Sequence, residues 1–332
     1  MHQRPLGRSG LAVSRLALGT MTWGRDTDPD DAADQLKIFL EAGGTLIDTA
    51  DVYGDGDAEA VIGSLLDHLA PRDEIVIATK AGLTPHRYRA RDASRGNLLR
   101  SLDASLRRLG TDYVDLWQVH GYDAQTPFEE TLAALDQAVA SGRVRYAGVS
   151  NFSAWQTARA ATWQSAYPGR APIVAAQMEY SLLERGIERE ILPAAAALGF
   201  GVLAWSPLGR GVLTGKYRNG RPLDSRAASE HMAGFVQAYL EPRSSSIVEA
   251  VVTAAAGLGV SPLEVALAWI RDRPGISSVI LGARTSGQLQ GALRSEQLTL
   301  PAEIAFALDD VSAIEVGYPE REGAGYPDTY FG

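Results

Sequence analysis

Asp48-Thr49-Ala50-Asp51-Val52-Tyr53-Gly54 follows directly on the apolar run Thr45-Leu46-Ile47. A β-branched, apolar run of that length reads as a buried strand, Thr45–Ala50. This strand carries a carboxylate, Asp48, near its carboxyl end and meets a tyrosine just beyond it. Polar groups are out of place at the end of a buried strand unless that end opens on a site. The fold therefore turns on whether other strands end in the same way.

They do. Leu16–Gly19, Ile75–Lys80, Val114–His120, Val144–Ser150, Val174–Tyr180, Phe200–Pro207 and Ser277–Ala283 are further short apolar runs. Near-continuous runs of this kind suit parallel strands buried on both faces. Helical spacing fills the intervals. Asp30–Ala42 stops at Gly43-Gly44, Arg95–Leu109 stops at Gly110, Thr131–Ala140 precedes Ser141-Gly142, and Ser261-Pro262 opens a helix through Ile270. Eight strands alternating with helices leave a closed barrel or a doubly wound sheet. Asp48, Lys80, His120, Asn151 and Gln177 lie at or near the carboxyl ends of different strands, which converge on one face only in a barrel. No G-x-G-x-x-G follows the first strand. The expected fold is a (β/α)8 barrel forming one domain over residues 1–332. Residues 1–15 read as a hairpin with its turn at Gly7–Gly10, 209–246 as a long loop after the seventh strand, and 313–332 as an irregular tail.

Composition narrows the function classes. Hydrophobic residues make up 45% of 332 residues, enough for a large core without a staple. The absence of cysteine excludes disulfides, a thiolate nucleophile and cysteine-bound zinc, and no metal site is expected. A net charge of −9 disfavours nucleic acid as a partner. Met1–Gly10 lacks the apolar core of a secretory signal and no apolar run is long enough to span a bilayer, so a cytoplasmic location and no membrane partner are expected.

A lysine and an aspartate in an apolar barrel mouth make sense as a pair, since neither charge is tolerated there alone. A cation near Tyr53 favours its phenolate and lowers its pKa, which suits a proton donor near neutral pH. A neutral His120 can orient a substrate oxygen. Taken singly, Asp48 reads equally well as a cap on the next loop, Tyr53 as an ordinary loop residue, Lys80 as a side chain reaching for solvent and His120 as structural. Their shared placement favours chemistry.

The chain resembles the aldo-keto reductases from about Pro5 to Val311. The resemblance is carried by Leu18-Gly19-Thr20-Met21, Asp48-Thr-Ala-Asp-Val-Tyr-Gly54, Thr79-Lys80, Gln118-Val-His120, Gly148-Val-Ser150-Asn151-Phe152, Trp205-Ser-Pro-Leu208 and Gly282-Ala-Arg-Thr285. It implies the barrel, a nicotinamide cofactor and a catalytic set of Asp48, Tyr53, Lys80 and His120. Hydride would pass to a carbonyl carbon, Tyr53 would protonate the oxygen, Lys80 held by Asp48 would tune Tyr53, and His120 would orient the carbonyl.

The resemblance also implies cofactor contacts. Gly19, Thr20, Met21 and Asp48 fall near the nicotinamide ribose; Ser150, Asn151 and Gln177 fall at its carboxamide. Trp205 offers a stacking face, although an indole at a strand end also reads as core packing. Ser206, Pro207, Leu208, Gly209 and Lys216 follow the pyrophosphate. Gly282, Arg284 and Gln288 open a helix suited to a phosphate, where Arg284 would meet the 2′-phosphate of NADPH. Gly291 and Ala292 stand where many relatives carry an acidic residue or Asn for the adenine, so NADH remains possible. Trp23, Tyr53, His120, Tyr122 and Phe152 are expected to rim the substrate mouth. The long loop and the tail residues Tyr318, Tyr326, Tyr330 and Phe331 are expected to close over it. The implied partner is a small carbonyl compound, with the protein a monomer or small homo-oligomer. Two narrower readings are a keto-sugar reductase of secondary metabolism and a cofactor-binding regulatory subunit of a channel.

Overall fold

The computed structural model describes residues 1–84, 88–218, 220–222, 228, 233–315, 317–318 and 321. A hairpin, β1 (Gln3–Pro5) and β2 (Ala12–Ser14), precedes eight parallel strands: β3 (Leu16–Gly19), β4 (Leu46–Asp48), β5 (Val76–Ala81), β6 (Val114–Val119), β7 (Val144–Ser150), β8 (Ile173–Glu179), β9 (Gly201–Trp205) and β10 (Ile276–Gly282). They pair in chain order, and β10 closes on β3. The structure is the expected (β/α)8 barrel. Its helices are α1 (Pro29–Glu41), α2 (Asp57–Leu69), α3 (Arg95–Leu109), α4 (Phe128–Ala140), α5 (Ala154–Ser165), α6 (Ile187–Leu198), α7 (Ala233–Gln237), α8 (Pro242–Leu258), α9 (Pro262–Arg271), α10 (Ser286–Leu293) and α11 (Ala302–Val311).

Strand alternation divides each strand between two environments. Leu16, Leu18, Ile47, Ile77, Trp117, Val119 and Val149 pack outward in the large core cluster beneath the helices. Ala17, Leu46, Ala78, Leu116 and Leu203 form a second cluster inside the barrel. Leu6, Leu11 and Val13 of the hairpin join this inner cluster, and Arg8 N donates to Gly199 O at 2.7 Å just before β9. The hairpin therefore plugs the amino end of the barrel. Each of its buried apolar side chains stabilises the plug by about 1.5–3 kcal/mol. The same alternation carries Asp48, Lys80 and His120 onto the inner face, two or four residues beyond Leu46, Ala78 and Leu116.

Some boundaries differ from the sequence expectation. The helix α4 starts at Phe128 rather than Thr131, because Pro127 caps it and Glu129 and Glu130 suit the positive end of its first turn. Pro242 similarly opens α8 inside the stretch read as one long loop, and α7 lies within it. For α9 the expected Ser261 cap is present as a reciprocal box with Glu264. Among the described residues no single helix is long and apolar enough to cross a membrane. Tyr318 is exposed, while Tyr326, Tyr330 and Phe331 lie outside the described residues.

Candidate active site

The carboxyl ends of the strands surround a cavity of ≈ 520 Å³. On its floor Lys80 is wholly buried and Asp48 nearly so. Lys80 Nζ donates to Asp48 Oδ2 at 2.8 Å and to Thr49 O at 2.7 Å, and reaches Tyr53 Oη at 3.4 Å. Gln177 Nε2 donates to the other carboxylate oxygen, Asp48 Oδ1, at 2.7 Å. The backbone and side chain of Thr20 both donate to Asp48 O at 3.0 Å. The carboxylate therefore has a partner on each oxygen, as a buried ion pair requires. Tyr53 and His120 stand edge to face, with ring centroids 5.9 Å apart.

The electrostatics follow from burial. His120 is held well below its ordinary pKa by burial, by Lys80 and by Arg91, so its imidazole is neutral at neutral pH. Burial pulls Lys80 down, but the attraction of Asp48 and Tyr53 outweighs it and the ammonium persists. For Tyr53 the outcome corrects the sequence expectation. Lys80 does favour the phenolate, but desolvation is the larger effect and the phenol's pKa is raised. Tyr53 is thus protonated at rest, and Lys80 is poised to stabilise charge that develops on its oxygen.

Behind the floor, Asp51 Oδ1 is buried without a hydrogen-bond partner among the described residues. Burial and the neighbouring Glu59 push its pKa up to about 7, against opposing contributions from Ser101, Arg108 and Lys80. Glu59 is itself held by Thr79 at 2.5 Å and by Arg108 at 2.6 and 2.8 Å.

The expected cofactor residues line the cavity, apart from Ser150 and Gly209. Ser150 Oγ is turned to accept from Asn151 Nδ2 at 3.0 Å. Gly209 is buried in the turn beneath the wall, its Cβ position taken by Leu183. Asn151 also donates to His120 O at 3.3 Å and accepts from Trp205 Nε1 at 3.0 Å, linking the His120 backbone to the indole. Trp205 is only half-buried and lines the cavity, which favours a stacking face over core packing. Gln177 commits its amide nitrogen to Asp48, leaving its carbonyl oxygen for a ligand.

Asn151, Ser206 and Arg210 all line the cavity with left-handed backbone, at φ 54°, 57° and 59°. Such strain costs about 1–3 kcal/mol per residue and clusters at ligand sites. Lys216 and Arg284 place cations on the same wall, and Arg284 N donates to Gln288 Oε1 at 2.9 Å at the start of α10. A strained, cationic wall joined to an amide-lined floor fits a dinucleotide phosphate at one end and a nicotinamide at the other. Ala292, one of the two positions that the resemblance sets toward the adenine, lines the wall and brings no polar side chain of its own.

Three expected rim residues are not brought to the cavity. Trp23 is fully buried and its indole N–H donates to Gln35 of α1 at 3.2 Å, because the turn after Thr20 folds it inward. Tyr122 and Phe152 stack edge to face at 5.5 Å in a cluster with Phe128 and Trp155, and neither lines the cavity. Only Tyr53 and His120 of that set do. Arg210 and Leu83 were not foreseen. The flanking glycines in Gly209-Arg210-Gly211 were the available signal for a left-handed turn.

Comparison with known proteins agrees with this geometry. Residues 15–313 match the Aldo/keto reductase family. The chain is 37% identical to an uncharacterized oxidoreductase of Bacillus subtilis (strain 168), over 94% of this chain and 96% of that protein. It is 35% identical to a probable voltage-gated potassium channel subunit beta of Oryza sativa subsp. japonica, over 97% and 98%. It is also 35% identical to the L-glyceraldehyde 3-phosphate reductase of Escherichia coli (strain K12), over 87% and 86%. A barrel closed in chain order, the Lys80–Asp48 pair with Tyr53 and His120 at its mouth and the match across most of its length together establish that this chain belongs to the aldo/keto reductase family.

Proposed function

We propose that the protein reduces the carbonyl of an aldehyde, ketone or keto sugar to an alcohol, using NADPH in preference to NADH. The observation that carries this reading is Lys80 Nζ, held 2.8 Å from Asp48 and 3.4 Å from Tyr53 beside a neutral His120 on an open cavity. When bound, the nicotinamide supplies a hydride to the carbonyl carbon. Tyr53 and His120 hold the carbonyl oxygen. As the C=O π electrons move onto that oxygen, Tyr53 transfers its proton there, completing the alcohol. The phenolate left behind is stabilised by Lys80 until a proton returns from solvent. The raised pKa of Tyr53 keeps the proton available before the reaction, and Lys80 acts only as charge appears. Lys216 and Arg284 would hold the phosphates, with Arg284 selecting the 2′-phosphate.

The test is oxidation of NADPH and of NADH with a reactive aldehyde such as 4-nitrobenzaldehyde. Tyr53→Phe should lower kcat by about 10²-fold or more while leaving the circular dichroism spectrum unchanged. Retained turnover in that variant would remove Tyr53 from the mechanism. The similarity to the rice channel subunit favours a second reading, a regulatory subunit that binds the cofactor with little turnover. Tight NADPH binding by the wild type without carbonyl-dependent oxidation would select it.

A further inference from the structure

One cation, Arg91, stands beside His120, next to the cavity lining. Leu83, which lines the cavity, is the antiparallel bridge partner of Arg91 in the segment after β5. The Arg91 side chain folds onto the backbone that follows His120. Its Nη1 donates to Tyr122 O at 3.3 Å. A Cβ built on Gly121 would stand 3.3 Å from Arg91 Nε and 3.6 Å from its Cζ. The guanidinium thus occupies space left by the missing side chain of Gly121. It is exposed to solvent and lies close enough to His120 to help keep that imidazole neutral.

The carboxylates adjacent to this site are already used. Asp92 and Asp123 both pair with Arg89, at 3.7 and 2.6 Å, and among the described residues no carboxylate pairs with Arg91. A guanidinium has five N–H donors, and here one meets a neutral carbonyl. A substrate held by Tyr53 and His120 has its reacting carbon inside the cavity and extends its substituent toward the mouth. The planar fork of an arginine matches a phosphate or carboxylate in two hydrogen bonds. On a protein of net charge −9, an exposed cation next to the His120 side of the cavity, with no carboxylate partner among the described residues, also favours anions locally.

We infer that Arg91 is a specificity-determining residue that binds the anionic substituent, phosphate or carboxylate, of a carbonyl substrate held by Tyr53 and His120. The inference rests on the carbonyl-reductase reading and names the substrate class within it.

The experiment compares matched substrates with NADPH: glyceraldehyde 3-phosphate against glyceraldehyde, and 4-carboxybenzaldehyde against benzaldehyde. Wild type, Arg91→Gln, Arg91→Lys and Gly121→Ala are each assayed. Arg91→Gln should lower kcat/KM for an anionic member about tenfold or more, chiefly through KM, and change its neutral partner less than about twofold. The pair that responds distinguishes phosphate from carboxylate. Arg91→Lys should recover part of the loss, and Gly121→Ala should weaken the same preference by displacing the guanidinium. Equal losses on charged and neutral members, or an unchanged anion preference in Arg91→Gln, would overturn the inference while the reductase reading stands. A wild type inactive on every member would overturn both.

Discussion

The two ends of the cavity are built by different means. At the catalytic end, Asp48 and Lys80 are inner-face residues of β4 and β5, buried and joined at 2.8 Å. Barrel geometry alone fixes their separation. At the other end, proposed to hold the phosphates, Ser206, Arg210, Lys216 and Arg284 sit on turns after β9 and β10, half-buried or exposed. Those turns need local ties. Arg210 N donates to Ser206 Oγ at 3.1 Å, and the Arg210 guanidinium holds Glu179 at 2.8 and 3.0 Å and Phe235 O at 2.6 Å. A scaffold placed by hydrogen-bonded strands preserves one reaction, whereas turns held by side chains can change which molecule is gripped.

The largest effect should come from breaking the buried pair. Lys80→Met leaves the Asp48 carboxylate without its cation and should cost about 3–5 kcal/mol of unfolding free energy in urea titration. Turnover should fall about 10²-fold or more in the same variant. The corresponding change at the other end, Lys216→Met, removes an exposed charge and should stay within about 0.5 kcal/mol of wild type. Equal stability losses in the two variants would erase the distinction between the ends.

The catalytic end also carries a cost. Asp51, behind Lys80, has a folded pKa near about 7, far above its value in an unfolded chain. Between the two values the folded protein keeps a proton that the unfolded chain has lost. Stability contributed by that proton is present at low pH and is lost as pH rises toward 7. Asp51→Asn should therefore gain stability relative to wild type as pH rises from 4 to 7, by on the order of 4 kcal/mol across that window. Parallel urea titrations at several pH values measure this. A constant difference across the range would show that Asp51 does not hold the proton.

The same contrast governs what the sequence revealed. The tetrad was legible because period-two alternation in apolar strands assigns Asp48, Lys80 and His120 to one face before any contact is known. Turn residues have no such period. Trp23 reads as a rim aromatic until the turn after Thr20 brings it to Gln35, on a helix that sequence spacing cannot orient against it. Arg91 was equally hidden, since its position depends on the missing Cβ of Gly121, thirty residues away. The sign of the Tyr53 shift is not legible in the motif, which shows its cation but not the desolvation of its phenol.

A smaller effect tests the cofactor end by itself. Arg284 lines the cavity at the start of α10, and its backbone N–H is already satisfied by Gln288. In the proposed reading its guanidinium is the group that discriminates between the two cofactors. Arg284→Ala should weaken NADPH binding about tenfold, read from quenching of tryptophan fluorescence, and leave NADH within about twofold. The turnover of bound NADPH should remain that of the wild type, since Lys80 is placed by β5 and Tyr53 by the turn after β4, and Arg284 by the turn after β10. A fall in kcat matching the fall in affinity would mean that the turns help position the chemistry, and that the two ends are one mechanical unit.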